Sequence, residues 1–313
     1  MTTQAILFPG QGAQFVGMSA DLIGRCPATE EMFEAASRLM GNDLWTLATD
    51  GPVEELDSMA VSQPAIFVVS LAVLRAIEQA GGAERLRAMG TAGLSLGEYS
   101  ALVFAGAIPF DAALEIVVRR GEFMQEACDR VPGGMTSIIG LDLATVREVV
   151  EEAAAEGIIA IANVNADTQV VVSGELGPLE RAGALAKERG ARRVVPLKVA
   201  GAYHSPLMAT ASEKLRPYLE RAPIAPPKIP FYPNVSALAV SDPSQIRDGL
   251  ARQVESPVLW ARTLRELISA GMETVLEPGP GRVVAGLVKQ VDRRIPVESV
   301  LSAETVEKFL REP

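Results

Sequence analysis

Histidine and cysteine are nearly absent from this chain of 313 residues. It contains one histidine, His204, and two cysteines, Cys26 and Cys128. Structural zinc sites and disulfide frameworks need several such residues at fixed spacings. The sequence therefore predicts no metal site, no disulfide cross-links and no cofactor. A chain with so few thiols suits a reducing compartment, and we expect a cytoplasmic protein.

Positive charge is also scarce. The chain has 29 lysine and arginine residues against 39 aspartate and glutamate residues, which leaves a formal net charge of −10. This balance argues against nucleic acid or an anionic membrane as the main partner, because both select a basic surface. No basic signal-like segment precedes the first apolar residues, and the apolar run 64–74 is too short to span a bilayer, so we expect it to form a buried helix.

Apolar residues, in contrast, make up 48% of the chain, which is ample for a globular core. The pattern changes between Gly133 and Val195, where it predicts a strand, a helix, two strands, a helix and a last strand. This βαββαβ order is typical of the ferredoxin-like arrangement. We therefore predict an α/β protein in which a small ferredoxin-like domain, 132–198, is inserted into a large domain formed by 1–131 and 199–313.

The motif Gly93-Leu94-Ser95-Leu96-Gly97 follows an apolar run and precedes a helical pattern. In a Gly-X-Ser-X-Gly turn between a strand and a helix, the glycines let the chain reverse sharply and expose the serine hydroxyl. The helix that begins there directs backbone N–H groups towards the space above the serine, where a carbonyl oxygen could gather negative charge. Since three fixed positions are a weak pattern, a purely structural turn remains the alternative.

A serine hydroxyl needs a neighbouring base to act as a nucleophile, and an imidazole is the usual one. His204 is the only candidate in this chain, although a capping or core histidine is the simpler interpretation of a single histidine. A hydrolase triad also needs an acid between serine and histidine in the chain. Asp129 and Asp167 are the least unsuitable, and neither fits well, so we expect a dyad whose imidazole is oriented by an amide or a main-chain carbonyl.

Two further segments carry polar or glycine-rich patterns. The loop 9–14 follows the predicted strand 5–8 but lacks the lysine of a P-loop and the spacing of a dinucleotide fingerprint, so its glycines more readily serve a close backbone approach to a reacting group. An amphipathic helix over 111–126 carries Arg119 and Arg120 side by side. We expect one of these arginines to face inward, and the residues alone do not separate them.

Five segments together resemble the malonyl-CoA:acyl carrier protein transacylases in the order of that family: Phe8-Pro9-Gly10-Gln11-Gly12-Ala13-Gln14, Gly93-Leu94-Ser95-Leu96-Gly97-Glu98-Tyr99, Arg120-Gly121-Glu122-Phe123-Met124-Gln125, Ala202-Tyr203-His204-Ser205-Pro206-Leu207-Met208 and Gly279-Pro280-Gly281. The resemblance covers nearly the whole chain. It implies an α/β-hydrolase-like large domain with a ferredoxin-like small domain, and an enzyme that moves malonyl from malonyl-CoA to acyl carrier protein without a metal or other cofactor.

The resemblance also implies a role for each matching residue in catalysis. Ser95 would be the acylated nucleophile and His204 the base that takes its proton. Gln253 would orient the imidazole through a carbonyl. The backbone N–H groups of Gln11 and Leu96 would form the oxyanion hole.

Substrate recognition is implied in the same way. Arg120 would hold the malonyl carboxylate, because a planar guanidinium can bind it through two hydrogen bonds. The aromatic ring of Tyr203 would crowd an α-methyl branch and so favour malonyl over methylmalonyl. Asn163, Asn165 and Asn234 match family segments that line the cleft, and Gln63 is similarly placed. Turn formation by the asparagines and a helix start at Gln63 are the structural alternatives.

The expected partners are malonyl-CoA and an acidic, phosphopantetheinylated acyl carrier protein, with the enzyme itself a monomer. A basic run in the small domain is our candidate docking surface, although a solvated charged face is the commoner meaning of such a run: Lys187, Arg189, Arg192, Arg193 and Lys198. A serine esterase or thioesterase is the first alternative function, and a non-catalytic docking scaffold is the second. The sequence leaves open whether the pathway makes fatty acids or polyketides.

Overall fold

The computed structural model describes residues 3–18, 20–22 and 24–311. Within these ranges the strands form two sheets of four strands each. The parallel sheet contains β1 (Gln4–Phe8), β2 (Gly90–Gly93), β7 (Thr274–Pro278) and β8 (Val297–Val300). The antiparallel sheet contains β3 (Gly133–Ile139), β4 (Ile159–Ala166), β5 (Gln169–Glu175) and β6 (Arg193–Pro196). The chain therefore has an α/β fold with one sheet of each kind.

The parallel sheet has the order β2-β1-β7-β8, with β1 between two partners. Residues 5–8 of β1 are completely buried, as expected for a continuous apolar run that is covered on both faces. Register pairs such as Ala5 with Gly90 and Phe8 with Gly93 bring the carboxyl ends of β1 and β2 side by side. Loops that follow these two strands, 9–14 and 94–96, therefore meet at one edge of the sheet, where open α/β sheets bind ligands.

Helices surround this sheet, and the described residues include the following: α1 (Pro27–Met40), α2 (Leu44–Thr49), α3 (Val53–Leu56), α4 (Met59–Ile77), α5 (Gly97–Phe104), α6 (Phe110–Arg130), α9 (Ala209–Arg221), α10 (Pro243–Gln253), α11 (Trp260–Ser269), α12 (Val283–Val291) and α13 (Ala303–Arg311). The predicted buried helix at 64–74 is confirmed as the middle of α4. By length and composition alone, the helical stretch Met59–Leu86 could cross a membrane. However, 89% of its apolar 18-residue window is buried inside the protein, as in a core helix.

The approach of α6 to α4 depends on Gly121. A Cβ atom at this position would lie 2.5 Å from the backbone oxygen of Met59, so no larger residue fits without moving one helix. The close contact brings the buried face of α6, which includes Arg120, against the first turns of α4, which include Gln63. One small residue thus sets the position of its charged neighbour.

The antiparallel sheet has the order β4-β5-β3-β6 and is joined by α7 (Leu143–Ala153) and α8 (Leu176–Glu188). The predicted succession of strands and helices between 133 and 196 is confirmed. Strand β4 is eight residues long and continues to Ala166. Two register irregularities let the longer strand stay paired with β5, and its residue Asn163 also bridges to Val258.

The two faces of the antiparallel sheet contact different parts of the chain. One face packs under α7 and α8 through a core that includes Ile138, Val170 and Val172. The other contributes Met135 and Val171 to a second core, which also contains residues of α6 together with Tyr203 and Met208. The segment that carries His204 is consequently enclosed between the antiparallel sheet and the parts of the chain around the parallel sheet.

Candidate active site

Ser95 lies in the sharp turn between β2 and α5. Its φ of +52° is the left-handed conformation that non-glycine residues rarely adopt, and such strain is characteristic of functional sites. A Cβ atom at Gly93 would lie 1.9 Å from the backbone carbon of Gly97, and one at Gly97 would lie 2.5 Å from the carbonyl oxygen of Phe8. Gly93 is therefore required by the tightness of the turn itself, and Gly97 by the close packing of the turn against β1.

The Ser95 Oγ atom lies 2.8 Å from Nε2 of His204. Nδ1 of the same ring lies 2.9 Å from the carbonyl oxygen of Gln253 and 3.1 Å from that of Ser256. Since both carbonyls only accept hydrogen bonds, Nδ1 must carry the proton, and Nε2 is left to accept from the serine hydroxyl. Ser256, as a second acceptor for the ring, was not predicted from the sequence.

His204 combines a left-handed backbone conformation with a buried imidazole. Its backbone φ is +56°, and its side chain is buried. Burial, with a further contribution from the positive charge of Arg120, lowers the pKa of His204 from 6.5 to about 4. The imidazole is therefore neutral at physiological pH and able to accept a proton.

Neither Asp129 nor Asp167, the two acids considered from the sequence, contacts the imidazole. The Asp129 carboxylate accepts a hydrogen bond from Gln125 on the exposed side of α6, and Asp167 forms an exposed ion pair with Arg265. Two main-chain carbonyls occupy the place that an acid has in a triad. The imidazole is thus oriented by main-chain carbonyls, which is one of the two arrangements considered from the sequence.

The pair Arg119 and Arg120 is divided between surface and interior. Arg119 forms an ion pair with Glu122 and keeps a partly exposed side chain. Arg120 is only 2% exposed, and its guanidinium donates to Oε1 of Gln63 at 2.6 Å, to Oγ of Ser95 at 2.9 Å and to Oε1 of Gln253 at 3.0 Å. Burial lowers the pKa of Arg120 from its ordinary value. A cation is thus held directly beside the nucleophile.

Asn234 and Gln253 brace the turn from behind. Oδ1 of Asn234 accepts from the Ser95 N–H at 2.7 Å, while its Nδ2 donates to the Gly93 carbonyl at 2.7 Å. Gln253 Nε2 donates to the Ser95 carbonyl at 2.8 Å and to the Glu98 carboxylate. Both amides are completely buried, so these contacts hold the backbone on either side of the nucleophile.

Glu98 was not predicted as a site residue, although it stands in the same motif. Its Oε1 accepts from the backbone N–H of Asn234 at 2.6 Å, and the side chain is 1% exposed. Burial raises the pKa of Glu98 above its ordinary value, while the hydrogen bonds from Asn234 and Gln253 and the charge of Arg120 oppose that shift and favour the ionised form. A charged residue that directly follows a glycine turn, in the first turn of a helix with no other charged residue, was the available signal.

Gln11 and Leu96 lie on adjacent loops at the same sheet edge. A Cβ atom on Gly10 would be 2.2 Å from the carbonyl oxygen of Leu94, so the loop after β1 presses against the serine turn. Leu96 is the N-cap residue of α5. Nε2 of Gln11 donates to the hydroxyl of Tyr203 at 3.4 Å, and that hydroxyl also accepts from the N–H of Ala200 at 3.2 Å. The Tyr203 ring is buried in the core between the two sheets.

Asn163 and Asn165 are on β4, away from this hydrogen-bonded cluster. Asn163 pairs with Val171, so its side chain shares the sheet face that packs towards Tyr203. Asn165 is 9% exposed, and its Oδ1 has no hydrogen-bond partner among the described residues. A buried amide oxygen without a partner is costly and is rare in proteins.

A strained serine, a neutral imidazole and a buried guanidinium form one cluster around Ser95. It has the parts needed for nucleophilic acyl transfer to and from a substrate that carries a negative charge near its acyl carbon. Within residues 3–18, 20–22 and 24–311, no group of three histidine, cysteine, aspartate or glutamate side chains is arranged to hold a metal ion.

Comparison with known proteins gives a consistent result. Residues 6–311 match the family model described as acyl transferase domain. The malonyl CoA-acyl carrier protein transacylase of Bacillus subtilis (strain 168) is 41% identical over 308 residues, which cover 98% of this chain and 96% of that protein. The transacylase of the same name from Escherichia coli (strain K12) is 43% identical over 291 residues, with 93% of each chain covered.

Solved structures of related enzymes have the same fold as this chain. The acyl carrier protein S-malonyltransferase of Vibrio cholerae superposes with a TM-score of 0.92 at 39% identity, covering 98% of this chain and 100% of that one. A malonyl-transacylase solved in complex with its type II polyketide synthase acyl-carrier protein also gives a TM-score of 0.92 at 39% identity, with 99% of both chains covered.

Proposed function

The chain belongs to the acyl transferase family, among the malonyl CoA-acyl carrier protein transacylases, and on this premise we propose that it transfers malonyl from malonyl-CoA to the phosphopantetheine thiol of acyl carrier protein. The reaction belongs to fatty acid or polyketide biosynthesis, and we propose that it takes place in the cytoplasm. The single observation that carries the mechanism is the 2.8 Å contact between Ser95 Oγ and His204 Nε2, beside the guanidinium of Arg120.

In the first half-reaction, Nε2 of His204 takes the Ser95 hydroxyl proton while Oγ attacks the thioester carbon of malonyl-CoA. Negative charge collects on the carbonyl oxygen, where the backbone N–H groups of Gln11 and Leu96 stabilise it. The carbon–sulfur bond then breaks, the CoA sulfur takes the proton from the imidazolium, and a malonyl ester of Ser95 remains. The carbonyls of Gln253 and Ser256 hold the Nδ1 proton throughout.

The second half-reaction reverses these steps with a different thiol. His204 takes the proton of the carrier protein's phosphopantetheine thiol, whose sulfur attacks the ester carbon. The bond from carbon to Ser95 Oγ breaks, and the serine oxygen recovers the proton from the imidazolium. Malonyl leaves as a thioester of the carrier protein, and the enzyme returns to its starting state.

Arg120 selects the acyl group. Its guanidinium already donates to Ser95 Oγ in the free enzyme, and we propose that the malonyl carboxylate takes over this donor once the serine is acylated. Gln63 fixes the other side of the guanidinium. The buried ring of Tyr203 limits the space for an α-methyl branch, which favours malonyl over methylmalonyl.

The three asparagines divide into two roles. Asn163 and Asn165 contact the phosphopantetheine arm, and the buried, unpartnered Oδ1 of Asn165 is available to an amide N–H of that arm. Asn234 acts differently from the substrate contact suggested by its motif, because both ends of its amide are used by the backbone of the serine turn. We assign it to holding the nucleophile in place.

An acidic carrier protein needs local cations on a chain whose net charge is −10. In the basic run of the small domain, Arg189 is already neutralised by Glu148 and Glu152. We therefore propose that the docking surface uses the exposed members that remain: Lys187, Arg192, Arg193 and Lys198.

We propose that the architecture is an α/β-hydrolase-like large domain, 1–131 and 199–313, with a ferredoxin-like small domain, 132–198, inserted into it. The strand order β4-β5-β3-β6 and its two covering helices support the second description. Both boundaries fall beside the ends of elements, since α6 ends at Arg130, β3 begins at Gly133 and β6 ends at Pro196.

Intact-mass measurement after mixing with malonyl-CoA tests the mechanism. We expect a malonyl adduct on the wild-type protein and none on Ser95→Ala. Ser100→Ala is the matched control, because Ser100 is a buried serine on α5 whose Oγ has no partner among the described residues, and it should acylate normally.

Two results would contradict the proposal. Rapid hydrolysis of malonyl-CoA with no transfer to carrier protein would indicate an esterase or thioesterase. The absence of any adduct on wild-type protein would indicate a non-catalytic scaffold.

A further inference from the structure

Glu98 is a completely buried carboxylate that takes no part in the steps above. It lies on the first turn of α5, three residues after the nucleophile, and its side chain points away from the reacting atoms towards two other segments of the chain. A buried carboxylate is expensive unless it is well hydrogen-bonded, so a residue of this kind needs a reason.

Each oxygen of Glu98 fixes one segment. Oε1 accepts from the backbone N–H of Asn234 at 2.6 Å, and Oε2 accepts from Nε2 of Gln253. These two residues make the contacts that orient the dyad. The Asn234 side chain accepts from the Ser95 N–H, and the Gln253 carbonyl accepts from Nδ1 of His204. Asn234 and Gln253, the two residues that donate to the carboxylate, are thus each hydrogen-bonded to a reacting residue.

The direction of the Gln253 amide is determined on both sides. Its Oε1 faces Arg120, which can only donate, and its Nε2 faces the Ser95 carbonyl, which can only accept. The group at position 98 must therefore accept a hydrogen bond from Gln253 while it also accepts one from the Asn234 N–H. A carboxylate does both, whereas an amide has one accepting oxygen only.

We propose that Glu98 is a positioning residue for acyl transfer, which holds the segments of Asn234 and Gln253 against the serine turn and so keeps Ser95 and His204 in line. This inference rests on the proposed function. The two fail separately, because the proposed function fails on wild-type protein, whereas the role of Glu98 fails on its variants.

Glu98→Gln is the sharpest test, because it keeps the shape of the side chain and removes one acceptor. We expect kcat for malonyl transfer to fall about 10- to 100-fold, as for the loss of a hydrogen bond to a charged group. KM for malonyl-CoA should change less than about threefold, because Arg120 and Gln63 remain. A variant with wild-type kcat would overturn the proposal.

Glu277 provides a matched control. It is also completely buried, and its carboxylate accepts from the backbone N–H groups of Val284 and Ala285 at the start of α12. None of its hydrogen bonds reaches the Ser95 cluster. If Glu98 acted only through general stability, Glu277→Gln would reduce kcat as much as Glu98→Gln, and that result would refute the proposal. We expect near-normal kcat in the folded Glu277→Gln protein.

A double-mutant cycle separates positioning from structure. If Glu98 acts through Gln253, then Glu98→Gln should cost at least about fivefold less in kcat when Gln253→Ala is already present. Independent, multiplying effects would contradict the proposal. Should Glu98→Gln be recovered only in unfolded form, Glu98→Asp takes its place, since it keeps the charge but is too short to serve both donors, and the same loss and coupling are expected.

Discussion

Two arginines of this chain, one buried and one at the surface, each contact two or three other side chains. Arg120 is completely enclosed and donates to Gln63, Ser95 and Gln253. Arg189, at the end of α8, forms ion pairs with Glu148 and Glu152 on the surface of the antiparallel unit. Its partners are carboxylates with 68% and 43% of their side chains exposed. Water can replace the contacts of Arg189 but not those of Arg120.

The difference shows where electrostatics matters in this molecule. Exposed ion pairs are screened and contribute about 0–1 kcal/mol, however many appear. A buried cation whose hydrogen-bond partners are neutral oxygens keeps much of its attraction for an incoming anion, although the charge of Glu98 offsets part of it. The cluster around Arg120 is therefore built to receive a charge, and the network around Arg189 holds two helices together.

Removing the buried arginine should have the largest effect. We expect Arg120→Ala to reduce kcat/KM for malonyl-CoA by about 1,000-fold, because a charge-assisted pair in a dry site is lost. Acetyl transfer should be retained in part, since an acetyl group has no carboxylate to bind. Side-by-side rates with malonyl-CoA and acetyl-CoA measure this, and equal loss of both activities would contradict the assignment.

The pH profile sharpens the same comparison. The pKa of His204 is lowered to about 4, so the neutral base persists as the pH falls below 6.5 and is lost only as the pH falls through about 4. We expect single-turnover acylation to show an acid limb near pH 4. Arg120→Gln should move this limb upwards, since the guanidinium is one cause of the shift. A limb near pH 6.5 in the wild-type protein would contradict the proposed environment of the imidazole.

The same shift has a consequence for stability. Because the folded protein resists protonation of His204, this residue contributes stability above pH 6.5 that is lost as the pH falls towards 4. Glu98 acts in the opposite direction. Burial raises its pKa above 4.5, so its contribution is present below pH 4.5 and is lost as the pH rises through the raised pKa.

The smallest effect is expected at the surface. Arg189→Ala should change the free energy of unfolding by about 1 kcal/mol or less and leave the KM for carrier protein nearly unchanged, because its charge is already neutralised. Arg193→Ala, on the exposed edge strand β6, should raise that KM several-fold at low salt. Chemical denaturation and carrier-protein titrations measure the two quantities. An Arg189 effect on KM as large as that of Arg193 would remove the distinction.

Much of this arrangement could be predicted from local patterns. The glycines around Ser95 predicted a turn, and the single histidine left one candidate base. Alternating apolar residues predicted the element order between 133 and 196, and the apolar run 64–74 predicted the core helix. Apart from the histidine count, each helix, strand or turn was predicted from a segment of about twenty residues or fewer, where periodicity and turn chemistry are informative.

The rest depends on contacts between distant residues. Glu98 bonds to segments 136 and 155 residues away, and no local pattern records such a partner. The choice between Arg119 and Arg120 depends on the way α6 faces α4, which the resemblance implied and the residue pattern did not. The extension of β4 depends on bulges and on a bridge to Val258. Helix α13 was not predicted at all, although Ala303, Val306 and Phe309 follow a helical spacing.

The side-chain amide of Gln253 holds the backbone of Ser95 through Nε2 and the guanidinium of Arg120 through Oε1. One residue therefore joins the speed of the reaction to the choice of acyl group. A substitution of Gln253 would therefore change the turnover rate and the selectivity for the acyl group together, and could not alter one without the other. New acyl specificities would then have to arise elsewhere in the pocket, which leaves the wall formed by Tyr203 as the freer place for such change.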